Sequence, residues 1–148
     1  MKHLTNSLIA AFVATIVLSL LMIMKKIIGV VPEMNPIADL VIIMQNLSGL
    51  IIMPVFGWVL HFFIGTIAWG SVYALLYKIL PGGNIIKGII VGLSAWILMM
   101  FTVTPMAGHG LFGLETSKVI PIMSMMLHIM YGAVLGFVYG KLSKSSED

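Results

Sequence analysis

Cysteine and arginine are both absent from the 148 residues. Without cysteine there are no disulfides, no thiolate metal sites and no thiol nucleophile, and no cysteine signal of redox compartment. Without arginine, bidentate recognition of a carboxylate or phosphate by a guanidinium is out of reach. Charge of either sign is scarce, at 9% of residues, while 60% are hydrophobic and the mean hydropathy is +1.13. A water-soluble domain of this size needs far more polar surface, so most of the chain has to face lipid or other apolar helices. The formal charge of +3 comes from eight lysines against five acids. Those lysines sit at the ends of apolar runs, as flanks of membrane spans do, which excludes a nucleic-acid surface.

The apolar runs are what the chain has in abundance. A hydrocarbon layer ~30 Å thick takes about 20 helical residues, and four segments meet that length: 7–24, 55–80, 85–104 and 119–142. Lipid leaves no partner for an open backbone, so these segments are expected to be helices. Lys2 and the run that follows have the polarity of a signal peptide. The run is long, however, ends in Lys25 and Lys26 and lacks a small-x-small cleavage site, so it reads as a retained first span. The stretch Pro81 to Asn84, "PGGN", marks a short turn. Residues 37–52 are apolar but carry Asp39, Gln45, Asn46 and Ser48, and are expected as an interfacial or half-inserted helix, with a fifth span as the alternative. The expected plan is a single all-α membrane domain over 1–148, a bundle of four transmembrane helices. Four spans place both termini on one side, with Lys2, Lys78, Lys87, Lys141 and Lys144; Lys25, Lys26 and Lys118 lie on the other. The excess predicts cytoplasmic termini.

An internal echo runs through the second and fourth spans. Pro54, His61, Gly65, Gly70 and Tyr73 parallel Pro121, His128, Gly132, Gly136 and Tyr139. The spacing agrees from proline to the first glycine and then slips by one residue. A duplicated helical hairpin, related by an axis along the membrane normal, would produce such an echo, as would chance among common membrane residues. Proline favours a first helical turn, and seven residues at ~1.5 Å each put either histidine ~10 Å below its helix start. His61 and His128 are thus expected at similar depth, in the outer half of the bilayer. Positions four apart share a helix face, so His61 belongs with Gly57 and Gly65, and His128 with Gly132, Gly136 and Gly140. Small residues line seams between membrane helices, and Gly88 and Gly92 supply one on the third span. Both rings are therefore expected to point into the bundle.

Three readings of the pair stay open. The imidazoles are neutral hydrogen-bonding glue between helices; they are axial ligands of a b-type haem; or, with His109 as a cover, they form a copper or zinc site, with thioethers such as Met106, Met123, Met125 and Met126 suited to Cu(I). His109 lies in "AGHGLFG", where glycines let the backbone bend over the mouth of the bundle. Ser124 stands one turn from His128, yet no carboxylate lies within the spans, so hydrolytic catalysis is not expected. Glu33, Asp39 and Glu115 are expected to pair with Lys25, Lys26 or Lys118 at the surface. Trp58 and Tyr73, Tyr77 and Tyr139 match interfacial belts, whereas Trp69 and Trp96 lie deeper, where an indole N–H needs an acceptor such as an imidazole.

The "AGHGLFG" loop and the final span "LHIMYGAVLGFVYG" resemble those of short, four-helix bacterial inner-membrane proteins grouped only as domains of unknown function. The resemblance covers about residues 54–142 and implies no activity. The expected function is a small binding or accessory membrane protein, not an enzyme, assembling with itself or a larger complex. Its site, if chemical, is His61, His128 and His109. A small proton-coupled transporter or channel is the rival, because imidazoles titrate near neutrality and ionisable groups inside membranes often mark transport paths.

Overall fold

A backbone amide in hydrocarbon finds no water, and among the described residues every regular element is helical. The computed structural model describes residues 2–31 and 33–144. Four stretches are long and apolar enough to cross a membrane, the plan of a multi-pass membrane protein. The first is α1 (Lys2–Ile27). The second joins α3 (Pro54–Phe62), a π-helix (Phe63–Ala68) and α4 (Trp69–Leu76). The third joins α5 (Asn84–Phe101) and the short α6 (Val103–Met106), and the fourth is α7 (Ile120–Lys144). Between the first two lies α2 (Pro36–Ser48), with 13 residues. It is about 20 Å long, well short of a ~30 Å crossing, so no fifth span exists there. Asn35 caps α2 by accepting from the Ala38 amide, Pro36 opens its first turn, and Gly49 ends it at φ 69°.

The start of α1 and the end of the second span meet the last turns of α7 at one end of the bundle. There His3 packs on Tyr77 and Tyr139, with ring centroids 4.9 and 5.3 Å away, and Tyr73 stacks edge-on against Tyr139 at 5.1 Å. The hydroxyls of Tyr73 and Tyr77 donate to the Asn84 carbonyl and side-chain oxygen, closing this end around the start of α5. At the opposite, loop end, Lys25 turns back on its own chain. Its ammonium donates to the carbonyls of Val30, Val31 and Met34 at 3.1, 2.7 and 2.8 Å. All three of its hydrogens are thereby used, and Val31, one of the acceptors, sits at φ 46°. The surface pairing expected for Lys25 is replaced by this carbonyl cage.

α7 is the hub, packed closely against α1 and α5, while the second span leans on α1. The α5–α7 seam is built from Gly88, Gly92, Gly132 and Gly136: a Cβ on any of them would run into the other helix's backbone. The α1 side of the bundle uses a row of small residues four apart, Ser7, Ala11, Thr15 and Ser19, all buried. Three of these hydroxyls donate to the carbonyl one turn back, so polar groups travel inside the bundle already satisfied. Gly65 and Gly70 of the second span lie on this row, against Thr15 and Ala11. Gly57 instead lies against the Ile37 carbonyl of α2, and Gly140 against the Asn84 side chain.

The π-helix falls where the two halves of the sequence echo slip by one residue. A π-turn accommodates one residue more than an α-turn, so Gly70 and Tyr73 return to the phase that Gly136 and Tyr139 hold in α7.

Candidate functional site

His61 is the last basic residue of α3, just before the helix widens. Its Nε2 lies 3.2 Å from Ser19 Oγ on α1. Ser19 spends its single hydroxyl proton on the Thr15 carbonyl at 2.7 Å, so it can only accept from the ring. Nε2 therefore carries the hydrogen, and Nδ1 of the neutral ring keeps the lone pair. His128 on α7 is oriented the other way round. Its Nδ1 lies 2.8 Å from the Ser124 carbonyl, an acceptor only, so Nδ1 donates and Nε2 keeps the lone pair. The contact is to the backbone of Ser124 and not its hydroxyl, which donates to Ile120 and accepts from Trp96. The Ser124 hydroxyl and the His128 ring therefore do not bond to each other.

Both rings border one cavity of about 470 Å³ at the loop half of the bundle. All four spans contribute to its wall, and Met34, Pro36 and Leu40 roof it from the α2 segment. Its rim includes Ala68, Leu98 and Thr102, which are exposed on the outer faces of the second and third spans. These two spans make the thinnest packing edge of the bundle, so the cavity opens sideways between them. Across its floor, the Tyr131 hydroxyl on α7 donates to the Gly65 carbonyl in the π-helix at 2.5 Å. The wide turn thus frees a carbonyl for a partner outside its own helix, a common use of π-turns near functional sites. The rest of the lining is apolar, with Leu18, Leu127 and the thioethers of Met22, Met34 and Met99 prominent.

His109 does not join the pair. Its Nε2 donates to Asp39 Oδ1 of α2 at 3.0 Å, and its Nδ1 meets Thr116 Oγ1 at 2.8 Å. The ring latches the loop after α6 to α2, beside a separate small recess that Glu33 and Asp39 also line. Burial pushes the Asp39 carboxyl above its ordinary value, with the His109 hydrogen bond and charge pulling the other way. Asp39 was expected beside a lysine; its partner is this imidazole. Among the described residues no three His, Asp or Glu side chains converge as a metal-binding group. The methionines nearest the pair also differ from those anticipated, because side-chain direction across the bundle is invisible in linear spacing. Trp96, for which an imidazole was one candidate acceptor, donates to the Pro121 carbonyl and Ser124 Oγ, both at 3.1 Å.

Three participants in the site, and one buried ring at the opposite end of the bundle, escaped sequence reasoning. Ser19 belongs to the small-residue row on α1, whose four-residue period is visible in the sequence. Tyr131 had only its place one turn before Leu135 on a buried face. The widened turn at 63–68 had a faint signal, the slipped spacing of the echo. His3 lies within α1, and its buried Nε2 has no hydrogen-bond partner among the described residues.

Comparison with known proteins returns one finding. The sequence profile of a family of unknown function, DUF6789, matches residues 1–148, a longer stretch than the 54–142 that carry the resemblance in the sequence. No curated protein matches, and no solved structure matches.

Proposed function

The chain belongs to the family of unknown function DUF6789, and we propose that it is a small membrane-embedded binding protein whose His61–His128 cavity holds a ligand. One observation carries this reading: each ring spends one nitrogen on the protein and keeps a lone pair beside the same 470 Å³ space. Structural glue would need only the first half of that arrangement. The volume falls within the range of small-molecule sites and far exceeds what one ion fills. Axial haem ligation is less well supported at His61, because Nε2 is taken by Ser19 and Nδ1 lies against the ring's own stem, where a porphyrin would clash. Copper would require thioethers such as Met22 or Met99 to complete two imidazoles.

The surrounding proposal follows the lysine asymmetry: a bacterial inner-membrane protein with cytoplasmic termini and the cavity in the outer half, working by binding and not turnover, alone, as a homo-oligomer or within a larger complex. The echo, with a π-turn absorbing its slip, supports descent from a duplicated hairpin.

The test is to purify the protein from membranes, extract it, and identify small molecules by mass spectrometry alongside a visible spectrum and metal analysis. A stoichiometric organic molecule, lost when Leu98→Trp blocks the rim, is the expected result. A Soret band or stoichiometric copper or zinc that disappears in His61→Phe and His128→Phe would transfer the site to haem or metal. Finding none of these would overturn the ligand reading. Proton-coupled transport draws support from the same two imidazoles; proton flux into protein-containing liposomes that falls in both histidine variants would establish it instead.

A further inference from the structure

Resting on the ligand-site reading, we infer that the cavity selects a neutral, lipid-soluble molecule with two O–H donors, of the hydroquinone class. The selection comes from an imbalance in the lining. Five side chains there carry polar atoms: His61, Trp69, Thr102, His128 and Tyr131. Four of them have committed their hydrogen to the protein. Thr102 donates to the Leu98 carbonyl at 2.6 Å, Tyr131 to the Gly65 carbonyl, His128 to the Ser124 carbonyl and His61 to Ser19. What these four turn to a guest is lone pairs. Among the described residues the Trp69 indole is the single uncommitted side-chain donor in the lining.

A guest that brings only acceptors would face acceptors and leave its own polar atoms unpaired in an apolar space, which is costly. A guest with two hydroxyls can donate one to each imidazole. Charge narrows the class further. Among the described residues no lysine, aspartate or glutamate lines the cavity, so an anionic headgroup and a cation both go uncompensated. The sideways opening between Ala68 and Leu98 suits a molecule that arrives through the bilayer and leaves an alkyl tail in it. A hydroquinone with a short alkyl chain satisfies every one of these conditions. Its oxidised quinone has the same shape and carries two acceptors in place of the donors.

The experiment is equilibrium dialysis of the detergent-solubilised protein with three probes, kept anaerobic: an alkyl hydroquinone, its mono-methyl ether and its quinone. The hydroquinone should bind tightest and the ether more weakly. The quinone should bind about tenfold or more below the hydroquinone, since each lost donor forfeits a hydrogen bond and leaves an acceptor unpaired. His128→Phe, which keeps the ring's bulk, should remove most of the preference for the hydroquinone. If that variant fails to elute as a single species, Leu98→Trp on the exposed rim serves instead and should abolish binding of all three. Quinone binding equal to or tighter than hydroquinone overturns this inference while leaving the ligand site standing. Failure of every probe to bind the wild-type protein overturns the inference, and unchanged extracts from Leu98→Trp would overturn the site with it.

Discussion

Two edges of the same bundle meet the bilayer on opposite terms. Along the α5–α7 edge, glycine faces glycine, and the helices approach until backbone touches backbone. Along the edge between the second and third spans, Ala68 and Leu98 stand on lipid-facing surfaces and a cavity opens behind them. Both edges are apolar, so hydrophobicity does not separate them; lipid tails are as apolar as leucine, and helices associate in membranes through close packing and hydrogen bonds. The glycine edge supplies close packing over several turns. The open edge lacks that close packing: its hydrogen bonds gather at the far end, where Tyr73 and Tyr77 donate to Asn84 and Lys87 donates to the Tyr77 carbonyl. Beside the cavity the bundle is held from behind, by α1 and by the bond between Tyr131 and Gly65.

That difference can be broken from the closed side first. Gly132→Leu should cost about 3 kcal/mol or more, because a side chain there meets the Gly88 and Ile89 backbone, which cannot move aside. Loss of the monodisperse peak on size exclusion after mild heating is the readout. Tyr131→Phe should cost about 1–2 kcal/mol, from a carbonyl left unpaired in a dry place, and should loosen the second span selectively. The same thermal series would register it, with faster proteolysis near residues 63–68. Ala68→Leu, by contrast, should change stability by no more than about 0.5 kcal/mol, since Ala68 is exposed at the cavity rim, where open space can take the added atoms. A melting temperature that falls as far as in the glycine variant would show that the open edge is packed after all.

The smallest effect belongs to the latch between α2 and the loop after α6. A carboxyl raised in the fold, as Asp39 is by burial, favours the fold while it is protonated. Its contribution is present below the ordinary carboxylate value and is lost as pH rises through the raised one. The melting temperature of the wild type should therefore drift down across that interval. Asp39→Asn keeps an oxygen for His109 to donate to and should remove the drift.

Much of this was legible in the order of residues. Apolar runs long enough to cross, the "PGGN" turn and the proline starts at 54 and 121 identify four helices, because the bilayer imposes a length and forbids an open backbone. The glycines at 88, 92, 132 and 136 sit in an interhelical seam, as their four-residue spacing suggested. His61 and His128, each set among small residues in the sequence, border one space in the fold. Less legible were the contacts that join distant segments. Asp39 and His109 are 70 residues apart, and nothing in either neighbourhood announces the other. Lys25 looked like a flank for acids and became the cap of a carbonyl cage.

Bilayer physics acts on each helix separately, so span number, helix length and small-residue faces follow from local sequence. Which face meets which helix depends on all four packing together. Only that assembly decided that Ser19 would take the Nε2 hydrogen of His61, that a widened turn would hand the Gly65 carbonyl to Tyr131, and that the second and third spans would part around a cavity. Hydrogen-bond partners and gaps are properties of pairs of helices, and no single stretch of sequence contains a pair.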